Sequence, residues 1–257
     1  MKEPRSILIT GASSGIGAAL AASYAAPGVH LALTGRDAAR LDGVAARCRA
    51  RGGTVSALCL DITDERALAD WIESVDRERP LELVIANAGM TGGTAEGVES
   101  LGEVRRIMQV NFAGVCNTIH PAIALMSRRG AGQIALVSSI AAWRGLPYSP
   151  AYCASKAALT AYGEALRGRL RPLGIAVSII LPGFVDTKLS RHVDGPKPLL
   201  MTVEKATRII RRGLARRKAR IAFPRLLDLG MRLLAILPAR LVDPVLMSLR
   251  VRIRRYE

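Results

Sequence analysis

Short apolar runs alternate with longer stretches of helical character along most of the chain. Ser6-Ile7-Leu8-Ile9-Thr10 is β-branched and apolar, and the alanine-rich stretch from Ile16 to Ala26 reads as a helix. Further apolar runs follow at Val29–Thr34, Val55–Leu60, Leu83–Ala86, Gln133–Ser138 and Arg220–Pro224, the last read as a strand. Such alternation predicts a single α/β domain, a doubly wound parallel sheet of about seven strands with helices on both faces. At 257 residues, half of them hydrophobic, the chain can bury the core this fold needs. We divide it into a core of residues 1–200, including a substrate loop at 184–200, and a segment 201–257 that completes the fold and adds a basic tail.

The first candidate chemistry lies between the first strand and helix, in Thr10-Gly11-Ala12-Ser13-Ser14-Gly15-Ile16-Gly17. Glycines there let the chain turn sharply and let backbone approach a pyrophosphate, which a helix N-terminus attracts through its free N–H groups. The second is Tyr152-Cys153-Ala154-Ser155-Lys156, with Ser139 thirteen residues before the tyrosine. Ser149-Pro150 supplies an N-cap and a proline at N1, so a helix over 152–169 puts Tyr152 and Lys156 on one face. Hydride transfer at a carbonyl carbon needs a proton moved on its oxygen by a group poised near neutral pH. Free tyrosine titrates near ~10, and a nearby ammonium favours its phenolate. Ser139, closing the run Gln133–Ser138, is placed to hydrogen-bond the substrate oxygen.

In these motifs the chain resembles the short-chain dehydrogenase/reductase family, over roughly residues 5–190. The glycine spacing is Gly-x-x-x-Gly-x-Gly, and the family's Tyr-x-x-x-Lys is intact. The resemblance implies catalytic roles for Asn111, Ser139, Tyr152 and Lys156, with Asn111 a helix asparagine extending a proton relay. It implies cofactor contacts from Gly11, Ser13, Ser14, Gly15, Ile16 and Gly17, and from Asp61 with Ile62 beside adenine. Asn87-Ala88-Gly89 would support the sheet beside the cofactor. Pro182, Gly183, Val185 and Thr187 would meet the nicotinamide, and Tyr152 and Lys156 its ribose. Two plainer readings stay open: Asp61 could cap a helix over 64–75, and Asn111 could satisfy a local backbone carbonyl.

Cofactor choice turns on the end of the second strand, where an acid would hold the ribose of NAD and an arginine the extra phosphate of NADP. Here Gly35 takes the acid's place and Arg36 follows. NADP(H) is favoured, with NAD(H) the alternative, because Ser14 stands where a second basic contact occurs in many NADP-preferring relatives.

Charge changes the picture only at the C-terminal end. The chain carries a formal +16, and residues 201–257 hold fifteen Lys or Arg against four acids, a net of +11. The run Leu226–Leu237 has Arg225, Asp228 and Arg232 at helical spacing beside a broad leucine face. It is too short for a transmembrane helix of about 20 apolar residues. It fits either a segment lying in a membrane interface or a helix covering a substrate cleft or a dimer partner with its arginines in water. Either points to a hydrophobic or lipid-derived substrate. A basic surface is also the footprint of nucleic-acid binding, but arginines interleaved with leucines and an aromatic content of 4% exclude it.

Cys48, Cys59, Cys116 and Cys153 show no metal or redox spacing, and the three histidines are scattered, so no metal site is expected. The expected setting is cytoplasmic, with peripheral contact at the inner face of a membrane through 225–255 as the addition. The expected activity is NADP(H)-dependent carbonyl reduction or the reverse alcohol oxidation, in a homodimer or homotetramer. The rivals are a 3-oxoacyl thioester reductase docking a carrier protein, and a membrane-surface scaffold that keeps the fold.

Overall fold

In a computed structural model that describes residues 3–93, 98–248 and 252–253, the chain begins with five strand-and-helix alternations. In order these are β1 (Ser6–Thr10), α1 (Gly15–Tyr24), β2 (His30–Gly35), α2 (Ala38–Ala50), β3 (Thr54–Cys59), α3 (Glu65–Glu78) and β4 (Leu83–Ala86). They continue with α4 (Leu101–Met108), α5 (Gly114–Arg129), β5 (Gly132–Val137), α6 (Pro150–Leu170) and β6 (Ile175–Pro182). After the short α7 (Lys188–Arg191) and β7 (Val193–Asp194) come α8 (Val203–Ala215), β8 (Arg220–Phe223), α9 (Arg225–Ile236), α10 (Ala239–Ser248) and β9 (Arg252–Ile253).

Among the described residues the main sheet has seven parallel strands in the order β3-β2-β1-β4-β5-β6-β8. Alternate residues feed its two faces, which is why its inner strands are apolar throughout rather than patterned. Ile7 and Ile9 of β1 pack with Leu20 of α1, Leu41 of α2 and Ile210 of α8; Leu8 packs on the opposite side with α3, α5 and α6. The strand order reverses between β1 and β4, and the crevice outside the C-terminal ends of strands at such a switch point is where doubly wound sheets bind ligands. The last described residues return to the substrate loop, Ile253 pairing antiparallel with Val193. No helix among the described residues is long and apolar enough to cross a membrane.

Candidate active site

The glycine turn is held by contacts that leave no room for side chains. Gly11 and Gly15 have φ of +65° and +56°, which favours glycine. A Cβ on Gly11 would stand 2.7 Å from the Ala88 Cα, and one on Gly17 would stand 2.4 Å from the Gly11 carbonyl oxygen. Asn87 braces this turn, its side-chain amide donating to the carbonyls of Thr10 and Gly11 at 3.0 and 3.2 Å. Thr10 Oγ1 accepts in return from the backbone N–H groups of Asn87 and Ala88. Ser14 is the N-cap of α1 yet makes no side-chain cap bond, and the first turn carries no acidic residue. The free N–H groups there suit an anionic pyrophosphate. Gly17 lies behind the cavity wall, where the absence of a side chain lets α1 pack against the turn.

At the far end of β2 and β3, Arg36 Nη1 lies 3.9 Å from Asp61 Oδ2, with the two side chains 56% and 43% exposed. An ion pair so long and so exposed is worth little and opens readily to a ligand. Asp61 Oδ1 also accepts from the backbone and hydroxyl of Thr63, both at 2.9 Å. The helix-cap reading of Asp61 is corrected: α3 is capped by Asp64, which accepts from Ala67 N. Arg40 and Lys188 line the cavity as well, two cations that the motifs did not single out.

The candidate catalytic side chains Ser139, Tyr152 and Lys156 gather where β5 meets α6. Lys156 is buried and donates from Nζ to the Val137 carbonyl at 3.0 Å, 5.7 Å from the centre of the Tyr152 ring. Burial among apolar neighbours pushes its pKa down to about 8. Ser138 Oγ bonds the Lys156 carbonyl at 2.9 Å and Thr160 Oγ1 at 2.8 Å, pinning α6 to the end of β5. Ser139 Oγ accepts from Ala141 N at 3.1 Å, while the residue stays at the cavity wall.

Asn111 sits in a π-helical turn, Gln109–Ala113, between α4 and α5 rather than in an α-helix. It is fully buried; Oδ1 accepts from Met90 N at 2.8 Å, and Nδ2 donates to Met90 O and Ser155 Oγ at 2.9 and 3.0 Å. Its partners are distant in sequence, Met90 lying 21 residues before it and Ser155 44 after it, and Asn111 is not in the cavity wall. It is nonetheless close: a Cβ on Gly89 would meet Asn111 Oδ1 at 3.2 Å and Lys156 Nζ at 3.4 Å.

Ser149 is the N-cap of α6 by position, with Pro150 at N1, but its hydroxyl does not cap. It donates to the Gly92 carbonyl, and Glu99 Oε2 instead accepts from Ala151 N at 2.8 Å. Burial raises the pKa of Glu99. Cys153 faces away into the protein, and burial pushes its thiol up to about 11, out of the thiolate range.

One cavity of about 1190 Å³ joins these parts. Gly11, Ser13, Ser14, Gly15, Ile16, Arg36, Asp61 and Ile62 line one end, and Asn87, Ala88 and Gly89 its floor. Ser139, Tyr152, Lys156, Pro182, Gly183, Val185 and Thr187 line the middle. Residues 5–197 match the short chain dehydrogenase family. The chain belongs to the short-chain dehydrogenase family. It is 37% identical over 247 residues to an uncharacterized oxidoreductase of Myxococcus xanthus, covering 96% of this chain and 98% of that protein. The fold matches a short-chain dehydrogenase from Sphingobium yanoikuyae in complex with NADPH (27% identity, TM-score 0.76, 95% of each chain). It also matches a bulky-bulky ketone specific alcohol dehydrogenase from Comamonas testosteroni (26% identity, TM-score 0.78, 96% of this chain and 95% of that one). The protein is thus a short-chain dehydrogenase, an oxidoreductase acting between CH–OH and C=O.

Beyond Tyr152 this short-chain dehydrogenase closes its cavity with apolar walls. Leu146 and Tyr148 stand on one side, Leu189 and Val193 come from the substrate loop, and Leu227, Met231, Leu234, Leu246 and Ile253 come from the tail. The tail is fastened by two residues close after Ser139. Trp143 Nε1 donates to Asp228 Oδ1 at 2.8 Å, and Arg232 pairs with Asp228 Oδ2 at 2.9 Å. The guanidinium groups of Arg220 and Arg232 lie 5.1 and 4.6 Å from the centre of the Trp143 ring. Arg144 reaches the second tail helix through Asp243 at 2.8 Å. Asp228 and Arg232 therefore clasp α9 to Trp143, with Arg232 still 41% exposed. Trp143→Ala is expected to free α9 while leaving the sheet intact. A hydrogen bond to a charged group is worth about 1.5–3 kcal/mol, so amide exchange across 225–236 should rise by roughly ten- to a hundredfold. Unchanged exchange there would deny the clasp its role.

Proposed function

We propose that the protein is a Tyr-x-x-x-Lys member of the family that moves hydride between NADP(H) and a hydrophobic ketone or secondary alcohol. The observation that carries this reading is the single cavity in which the glycine turn, Ser139, Tyr152 and Lys156 meet an apolar far wall. A bound nicotinamide nucleotide supplies or takes the hydride. Ser139 holds the substrate oxygen by a hydrogen bond, and Tyr152 gives that oxygen its proton in reduction or removes it in oxidation. Lys156, charged below about pH 8, favours the tyrosinate and holds the nucleotide ribose. Asn111 acts from behind, tying Met90 to Ser155, the residue before Lys156, and so supporting the proton relay.

NADP(H) over NAD(H) rests on Arg36, exposed at the cavity end with only a weak ion pair to give up, and gains from Arg40 and Lys188 on the same wall. In this reading residues 1–200 form the catalytic core and 201–257 complete the sheet and shape the substrate end. The protein works in the cytoplasm as a homodimer or homotetramer, with peripheral membrane contact through 225–255, of which 249–251 and 254–255 lie outside the described residues.

Titration with NADPH and NADH, followed by nucleotide fluorescence, tests the cofactor half of the proposal. A charge-assisted phosphate contact is worth about 1.5–3 kcal/mol, so Arg36→Ala should weaken NADPH by roughly ten- to a hundredfold and leave NADH unchanged. Equal loss for both nucleotides would remove the preference, and no binding of either would remove the reading itself.

A further inference from the structure

The two tail helices are apolar on both sides. On α9, Leu227, Met231 and Leu234 line the cavity, while Leu226, Leu229, Leu233 and Ile236 form a second stripe that is 54–79% exposed. On α10, Val242 and Leu246 are buried, and Leu241, Val245 and Met247 are 56–69% exposed. A helix apolar all round is ordinarily buried all round. Here one side serves the cavity and the other meets water. Half of the exposed large hydrophobic residues among those described are on these two helices, a concentration that marks an interaction surface.

Charge selects the occupant. Both carboxylates of the two helices are already paired, Asp228 with Trp143 and Arg232, and Asp243, though 60% exposed, with Arg144. Arg225 and Arg240 are exposed, and the sequence continues with Arg250, Arg252, Arg254 and Arg255 against Glu257 alone. A two-fold contact with a second copy would bring the exposed Arg225 and Arg240 of one copy toward those of the other. An anionic lipid surface answers both the leucines and the arginines.

We infer that the outer face of α9 and α10 rests in the interface of an anionic membrane, so that the enzyme draws a bilayer-dissolved ketone or alcohol beneath the same helices that wall its cavity. The membrane part stands on the exposed face; the substrate part rests on the oxidoreductase reading above. In reduction, hydride from the nucleotide forms the new C–H bond, and the proton on the substrate oxygen comes from Tyr152.

Co-sedimentation with phosphatidylcholine vesicles, with and without phosphatidylglycerol, tests the surface without needing turnover. The protein should sediment with the anionic vesicles, and Leu229→Ser/Leu233→Ser should lower partitioning at least about tenfold while leaving NADPH binding unchanged. Arg225→Ala and Arg240→Ala should each cost about fivefold. NADPH oxidation with a long-chain ketone carried in anionic vesicles should fall in the leucine variant, and oxidation with a short water-soluble ketone should not. Absence of sedimentation, or sedimentation indifferent to the leucines, would overturn the inference. So would a leucine variant that dissociates a stable oligomer, since the face would then belong to a second copy. Vesicle binding without any nucleotide binding would uphold the surface and fail the oxidoreductase reading; the reverse result would do the opposite.

Discussion

Tyr152→Phe should reduce kcat by about 10²–10⁴-fold, the usual contribution of a positioned acid or base, with NADPH affinity nearly unchanged. The substitution removes one oxygen and keeps the ring that stands 5.7 Å from Lys156 Nζ. Because Ser139 and the glycine turn are untouched, the variant should still bind nucleotide and substrate and should fail only at proton transfer. Steady-state turnover beside a nucleotide titration separates the two. A variant that keeps its rate would show that the proton comes from elsewhere, and one that loses nucleotide as well would show that the hydroxyl serves binding.

Lys156→Met should abolish turnover to a similar extent and yet leave the nucleotide-free protein no less stable at pH 7. The lysine is 4% exposed, and burial lowers its pKa from the ordinary 10.5 to about 8. Below pH 8 the folded and unfolded chains both carry the proton, and the folded state bears the full cost of burying it. Between about pH 8 and 10.5 the folded chain has released a proton that the unfolded chain still holds, so stability rises with pH across that window. At 1.36 kcal/mol per unit the rise is on the order of 3 kcal/mol. The methionine variant should lack that rise, and its gain at pH 7 is offset in part by the Val137 carbonyl left without its donor. Urea unfolding at pH 7 and again above pH 10 measures both ends. The same titration predicts that the wild-type reduction rate falls above about pH 8, as the ammonium that favours the tyrosinate is lost. A wild-type stability that declines from pH 7 to 10 while the variant stays flat would contradict the assignment of cost to the buried charge.

What the sequence made legible is what lies close together along it. The strand, glycine turn and helix at 6–24 are contiguous, and Tyr152 and Lys156 share a face because four residues separate them. The seven strands follow from apolar runs that the two-sided burial of a parallel sheet demands. What sequence alone did not show were the choices between competing partners. Ser149 has the right identity for a cap, but Gly92 takes its hydroxyl and Glu99, 52 residues before Ala151, takes the helix N–H. Asp61 and Asp64 both precede α3, and only the backbone path shows that Asp64 caps it. Nothing around Trp143 marks it as a clasp, because Asp228 lies 85 residues further on. The tail's inner and outer stripes are equally apolar, so periodicity alone could not tell the side facing the cavity from the side left in water.

The order in which the chain contributes to its cavity has a consequence for making new catalysts from it. The side chains given proton-handling roles in our proposal, Ser139, Tyr152 and Lys156, all precede 157, whereas the tail walls and the apolar loop residues Leu189 and Val193 come from Leu189 onward. A chimera joined near Val185, carrying the C-terminal segment of another family member, would therefore exchange the appetite of the enzyme while inheriting its proton-handling parts whole. The graft has a compatibility condition written in two adjacent side chains: Trp143 and Arg144 must find an indole acceptor and a guanidinium partner in the incoming helices, as they now do in Asp228 and Asp243. Donors lacking that pair of carboxylates would need residues 143 and 144 transplanted with them.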